Sequence, residues 1–267
     1  MAKLIIEEGS APRLSNLNLI WRQHPKVSGR GHYGHRMAIG PDGYLYIASG
    51  ERQKMTPAQE LRTGLGKIVR IDAKRGLSAL DNPFYTEAVS GELRMHVVRD
   101  YKGASAQTGI WSLGHRNPLG LAFDAEGRLW DSEMGPRGGD ELNLVKAGAN
   151  YGWPKVSNGD HYDGGNIPDH SPNDGFEAPK VSWNPSISPS SLMIYSGNLF
   201  PQWKGDAFIG ALSGEALIRV DLNGENATKA DEWPMKTRIR EVEQGPDGAI
   251  WLLEDGDKGR LMKLTPK

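Results

Sequence analysis

The sequence predicts an all-β fold, a β-propeller, and three observations carry that reading. Glycine makes up 34 of the 267 residues, with 17 prolines beside it; that glycine share is nearly double the ordinary value of about 7% and suits many tight turns. A glycine turn followed by an alternating apolar strand recurs along the chain. Helix signals are scarce.

The repeat justifies the elements in order. The first copy is "GPDGYLYIAS" followed by "GKIVRID", and the second is "DAEGRLWDSE" followed by "DELNLVK". A weaker third copy is "WKGDAFIGAL" with "EALIRVD", and the fourth is "GPDGAIWLLE" with "GRLMKLT". Each unit is a turn carrying Gly and Asp or Glu, a strand, a loop and a second strand. The turn glycines are Gly43, Gly127, Gly205 and Gly248. Asp-Gly between short period-2 strands is a hairpin signal, and antiparallel units repeated around an axis make a propeller. About four blades are recognisable, in a single domain over residues 1–267. A sandwich is the plainer alternative, but it does not account for four similar hairpins. The best helix candidate is "TPAQELRTG", Thr56 to Gly64, with Thr56 as cap and Pro57 in the first turn. The opening "KLIIEEG" reads as a strand-like segment.

Bulk properties exclude several classes. A net charge of −1 leaves no electrostatic footprint for nucleic acid. No apolar run reaches the about 18 residues of a membrane-spanning helix, and the N-terminus is too polar for a signal peptide. With no cysteine, disulfides and thiolate chemistry are excluded.

The repeat also aligns polar residues. His32 lies eleven residues before Gly43, and Arg116 lies eleven before Gly127, in "GHRNPLG" beside Asn117. Arg238 and Arg240 lie ten and eight before Gly248. Rotation about a propeller axis brings such positions to one mouth of the central channel, where strand ends add Glu51, Gly135, Pro136 and Asp255. One arginine alone suits an ordinary carboxylate pair; several cationic or amide groups at equivalent places suit a site. Arginine forks match carboxylates, so the mouth suits a ligand carrying several of them. Few acidic side chains occupy the equivalent positions, which argues against a carboxylate-built catalytic metal centre. His32 is the natural base and Glu51 is near enough to orient it; the plainer alternative makes Glu51 a solvated loop carboxylate.

The stretches "GHYGHRMAIGPDGYLYIASGERQ", "WSLGHRNPLGLAFD", "EMGPRGGDELNLVKAGANYGWP" and "RIREVEQGPDGAIWLLED" resemble the soluble quinone-dependent sugar dehydrogenases of the glucose/sorbosone (aldose sugar) dehydrogenase family. The likeness runs from about Leu19 to Pro266, and "GHRNP" with "GPRGGDELN" and "NYGWP" is its specific part. It implies a six-bladed propeller binding pyrroloquinoline quinone (PQQ) and calcium, which oxidises the C1 hydroxyl of aldoses to lactones. Carried over by position, His32 is the general base and Glu51 orients it. Arg116 and Asn117 flank the reactive quinone carbonyl, and the Gly135 and Pro136 carbonyls hold the cofactor's calcium. Arg238 and Arg240 clamp the cofactor carboxylates, and Tyr162 in "GDHYDGG" resembles a cofactor-contacting tyrosine. Glu141 and the Tyr151 carbonyl match a second, structural calcium site; without the motif, Glu141 reads as an outer-strand surface charge. Where some relatives add a lysine to the clamp, this chain has Ser213, Gly214 and Glu215. The implied mechanism is hydride transfer from C1 to the quinone while His32 takes the hydroxyl proton and Arg116 and calcium stabilise the developing charge.

The resemblance further implies an aldose substrate, an external acceptor (quinone, cytochrome or dye), a monomer or homodimer, and a periplasmic or secreted location. It also implies about two blades upstream of this chain. Two rival readings are a metal-dependent lactonase-type propeller hydrolase and a non-catalytic binding propeller. The first needs side-chain metal ligands converging on the axis, which are not found; the second does not need His32 paired with Glu51 beside arginines.

Overall fold

The computed structural model describes residues 3–5, 11–85 and 106–267. β1 (Lys3–Ile5) pairs antiparallel with β2 (Arg13–Ser15), so the opening segment does begin as a strand; its remaining residues lie outside those described. The first large sheet runs β3 (Met37–Ile39), β4 (Tyr44–Ser49), β5 (Lys67–Asp72) and β6 (Ile110–Leu113). The second is built from β7 (Pro118–Phe123) and β8 (Leu129–Glu133), then β10 (Asp140–Val145) and β12 (Val181–Trp183); β9 (Arg137–Gly138) and β11 (Gly159–Asp160) form a separate short pair. The third runs β13 (Pro189–Ile194), β14 (Ala207–Ala211), β15 (Ala216–Asn223) and β16 (Asn226–Pro234). The fourth has β17 (Ile239–Gln244), β18 (Ile250–Glu254) and β19 (Leu261–Leu264). Within each large sheet, strand order follows chain order and every pairing is antiparallel.

The quoted repeats are therefore the second and third strands of each sheet. Their turn glycines have φ of 78° (Gly43), 81° (Gly127), 97° (Gly205) and 81° (Gly248), the left-handed region that disfavours a β-carbon. This is why glycine recurs at that one place in otherwise variable loops.

The core lies between sheets. Tyr46 and Ile68 meet Leu121 and Leu129 between the first and second. Trp130, Leu142 and Trp183 meet Ile209 and Ile218 between the second and third. Phe208 and Leu217 meet Val242 and Leu252 between the third and fourth. Face-to-face stacking of successive sheets is the propeller arrangement, and each fully buried large apolar side chain contributes about 1.5–3 kcal/mol. First strands also touch directly: Ser190 Oγ donates to Ile239 O at 2.6 Å, and Val242 N donates to Ser191 Oγ at 2.9 Å.

The predicted helix is shorter than expected. Only Thr56–Gln59 coils, as one 3₁₀ turn. Met55, with φ of 60°, takes the cap position in place of Thr56, while Pro57 does sit in the first turn. Growth stops where Glu60 turns extended, with ψ of 123°, and Ala58 O accepts from Gly114 N at 2.9 Å and from the Lys67 ammonium at 3.0 Å, both from outside the segment. Glu60 N closes the turn on Pro57 O at 3.1 Å. No helix among the described residues is long and apolar enough to cross a membrane.

Candidate active site

At one edge of the array, the segment entering each first strand meets the segment leaving the second. In the first sheet this contact is His32 Nδ1 with Glu51 Oε1. In the second, Arg116 Nη1 donates to Met134 O at 2.9 Å, and Arg116 N donates to Glu133 Oε2 at 2.6 Å. In the third, Ser213 Oγ meets Ser188 Oγ at 2.8 Å. In the fourth, Arg238 Nε and Arg240 Nη2 both donate to Asp255 Oδ2, each at 2.9 Å.

Glu51 is fully buried, which corrects the solvated-carboxylate alternative. Its carboxylate accepts from the backbone N–H groups of Gln53, Lys54 and Met55 as well as from His32. Left-handed φ angles at Arg52 (64°), Gln53 (58°) and Met55 (60°) curl those donors round it. Burial alone would raise its pKa; the His32 contact and the Met55 and Lys54 donors outweigh that and hold it below the ordinary value. An ionised Glu51 makes His32 Nδ1 the donor, and Nε2 has no hydrogen-bond partner among the described residues.

Asn117 ties the first two sheets together. Its Oδ1 accepts from Gly34 N at 2.9 Å, which fixes the amide's orientation and leaves Nδ2 without a partner among the described residues. The approach requires glycine: a β-carbon on Gly50 would lie 2.8 Å from that Oδ1 and 2.3 Å from His32 O. Arg116 is buried, reaches the exposed Tyr162 hydroxyl at 3.2 Å, and has its Cζ 5.0 Å above the Trp153 ring. Its Nε is buried without a hydrogen-bond partner.

Gly135 sits in a cradle where a β-carbon would lie 2.2 Å from Gly139 O and 2.4 Å from Gly138 O. Its N–H donates to Asp140 Oδ1 at 2.8 Å, while the Gly135 and Pro136 carbonyls take no donor among the described hydrogen bonds. Asp140 also accepts from Ser186 Oγ (2.5 Å) and Ser188 N (2.7 Å), coupling this loop to the third sheet. Beyond the Ser213 contact, Gly214 N donates to Ile187 O at 3.1 Å, and Glu215 is exposed with φ of 47°. Arg238 and Arg240 pair with a carboxylate of their own sheet, and no described hydrogen bond joins either to His32 or Arg116.

Glu141 is buried, so its reading as an outer-strand surface charge is corrected. It lines a small cavity with Glu133, Tyr151 and Trp153. Burial and then the neighbouring Glu133 charge push its pKa well above the ordinary value.

Sequence reasoning missed the buried group of His115, Asp131 and Glu133. Glu133 accepts from Arg116 N, Asn117 N, His115 Nδ1 and Asn143 Nδ2, so it orders the whole "GHRNP" turn. Burial disfavours a charged His115, but the Glu133 and Asp131 carboxylates outweigh it and push its pKa up to about 9. The signal available was Asp and Glu alternating in "WDSE", both facing inward on a strand whose residues are all buried.

The fold agrees with what comparison finds. The chain matches the Glucose / Sorbosone dehydrogenase family over residues 2–263. It belongs to that family. It is 37% identical over 260 residues to the aldose sugar dehydrogenase YliI of Escherichia coli (strain K12), covering 96% of this chain and 66% of that protein. The solved apo form of the soluble Escherichia coli aldose sugar dehydrogenase superposes with a TM-score of 0.80 at 36% identity, covering 96% of this chain and 69% of that one. The PQQ-bound aldose sugar dehydrogenase of Streptomyces coelicolor gives 0.75 at 28% identity, covering 99% and 71%. The chain thus spans about two thirds of the length of these relatives.

Proposed function

We propose that this chain forms the base-carrying part of a quinoprotein that oxidises aldose sugars at C1 to lactones and passes electrons to an external acceptor. The observation that carries the reading is the His32–Glu51 pair: a buried carboxylate held by three backbone donors presents an imidazole with Nε2 unpartnered. The relative from Streptomyces coelicolor is solved with PQQ bound, and the family is that of glucose and sorbosone dehydrogenases.

The residues present suit the cofactor and its metal. Arg116 Nε is an orphaned buried donor, and Asn117 Nδ2 is a second donor with no hydrogen bond among the described residues. Arg238 and Arg240 are half-exposed and keep donors beyond those spent on Asp255, as tricarboxylate recognition requires. The Gly135 and Pro136 carbonyls offer the oxygen ligands calcium prefers. Glu141, with Tyr151 lining the same cavity, suits a second calcium whose charge relieves the carboxylate crowding.

When bound, PQQ supplies the hydride-accepting carbonyl and calcium the Lewis acid beside it. His32 Nε2 takes the proton of the sugar C1 hydroxyl, and the resulting imidazolium is stabilised by ionised Glu51 across Nδ1. Arg116 and Asn117 present donors where negative charge develops, already ordered by Glu133 and Gly34.

Titrating the protein with PQQ and calcium while following the cofactor's absorbance, then adding aldoses with a dye acceptor, tests the reading. Saturable, calcium-dependent binding with sugar-dependent dye reduction is expected. Tight binding with no turnover on any aldose would favour the non-catalytic propeller.

A further inference from the structure

Arg52 follows Glu51 directly and is 3% exposed, yet its guanidinium makes no ion pair among the described salt bridges. All its hydrogen bonds go to neutral acceptors around His32. Nη1 donates to His32 O at 2.7 Å and to Gly50 O at 2.8 Å, and Nη2 donates to His35 Nε2 at 2.7 Å. The Arg52 backbone N–H adds a 3.3 Å contact to the same His32 carbonyl. The Arg52 Cζ lies 4.4 Å from the centre of the Tyr33 ring.

We propose that Arg52 is a positioning residue for the His32 base, holding the His32 main chain so that its ring meets Glu51. This inference rests on the reading of His32 as base. His32 has φ of 58°, a left-handed conformation unfavourable for a residue with a β-carbon. Surrounding structure must over-determine such a geometry. Two donors from one residue on the His32 carbonyl do so, because fixing a carbonyl's direction fixes the adjoining backbone torsions. Gly50 supplies the other side of the clamp, since any β-carbon there would collide with that carbonyl.

His35 aims the guanidinium. To accept at Nε2 it must be neutral with its proton on Nδ1, and that proton is donated to Ala48 O at 2.8 Å. Ala48 is fully buried on β4, so the chain of contacts runs from the first sheet's core to the base. A lysine would keep the charge here but could not reach both carbonyls and His35 from one planar group.

Two variants, Arg52→Lys and Arg52→Met, test this beside His32→Ala, with and without cofactor. In the chain without cofactor, the His32 Nδ1 proton shared with Glu51 should give a downfield proton resonance, identified by its absence in His32→Ala. It should shift or vanish in both Arg52 variants while the thermal transition stays cooperative. In the PQQ- and calcium-loaded protein, kcat should fall about 10²-fold, as for a misplaced catalytic group, with sugar KM and PQQ affinity within about two-fold of the parent. An unchanged resonance with parental kcat in both variants overturns the positioning role. Loss of folding or of PQQ affinity in both variants also overturns it, in favour of a purely structural role. If His32→Ala keeps parental turnover, the base reading fails instead, whatever Arg52 does to the resonance.

Discussion

Arg36, at the entry to β3, ion-pairs with Glu241 on β17 with 2.5 Å between Nη2 and Oε2, joining the first sheet to the fourth. The same guanidinium donates through Nε to Leu119 O at 2.7 Å and through Nη2 to Ser190 O at 3.1 Å. One side chain therefore touches the first strands of the other three large sheets. Both partners are about a third exposed or less, at 33% and 27%, so the contacts are only partly screened. Arg36→Ala should lower the unfolding free energy by about 1.5–3 kcal/mol, the range for hydrogen bonds to charged groups. Arg36→Lys should recover only part, because an ammonium lacks the fork. Urea unfolding of the three proteins measures this; equal midpoints would show that Arg36 ties nothing together.

His32 and Glu51 make separable contributions. His32→Ala should reduce turnover by about 10²–10⁴-fold, the range for general acid–base catalysis, with cofactor affinity nearly intact. Glu51→Gln keeps the shape but cannot present two acceptor oxygens to His32 and three N–H groups, so it should lose both turnover and stability. Steady-state kinetics with PQQ binding measured in parallel distinguish the two. Turnover within a few-fold of the parent for His32→Ala removes it from the mechanism.

Arg238 and Arg240 share one carboxylate, and that sharing sets their expected weight. Asp255 Oδ2 accepts from both, and their side chains are 47% and 40% exposed. Each Arg→Ala change should weaken PQQ binding by about 1.5 kcal/mol, the lower end for hydrogen bonds to charged groups, because water competes at this edge. Asp255→Asn should leave both charges in place but less ordered, with a smaller loss. Equilibrium titration with PQQ reads all three, and unchanged affinity in both arginine variants would make them structural partners of Asp255 alone.

The repeat was legible because it depends on local rules. Gly43, Gly127, Gly205 and Gly248 each need a left-handed backbone, and the alternating strands after them need no distant partner to be recognised. First strands were harder: β3 is three residues long, and Met37 and Ile39 on it are exposed, so no alternation marks it. β12 joins its sheet from a long excursion after β10, a pairing no local pattern encodes. At the candidate site, His32 and Arg116 were legible through their spacing to the turns, and Glu51 as a strand end near His32 in the hairpin. The buried Glu133 hub, the Arg36 staple and the Arg52 clamp were not, because each is defined by contacts to carbonyls and amides that only the folded chain brings near. The shortened helix at Thr56 was illegible for the same reason, since Gly114 N and the Lys67 ammonium take Ala58 O from outside the segment.

Lys67 gives the protein a pH dependence whose sign can be worked out. The side chain is wholly buried on β5, and its ammonium donates to Pro57 O, Ala58 O and Leu65 O at 2.7, 3.0 and 2.7 Å. Burial pushes its pKa down to about 7 from an ordinary 10.5, with the Glu60 charge only partly opposing the shift. Between those values the unfolded chain holds a proton that the folded chain has released, so stability rises with pH across that window. Read the other way, stability is lost as pH falls from about 10.5 towards about 7, and this group adds no further loss below that. One proton sets a slope of at most about 1.4 kcal/mol per pH unit. Lys67→Met should remove this component. It should also lower stability at pH 7 by about 1–3 kcal/mol, since Leu65 O loses its donor while Pro57 O and Ala58 O keep only the backbone donors Glu60 N and Gly114 N. Denaturant unfolding of both proteins from pH 6 to pH 10 provides the comparison, read as the difference between the two curves so that other titrating groups cancel. A difference that stays flat across that range would mean that Lys67 keeps its proton in the fold, with the three carbonyls compensating fully for its burial.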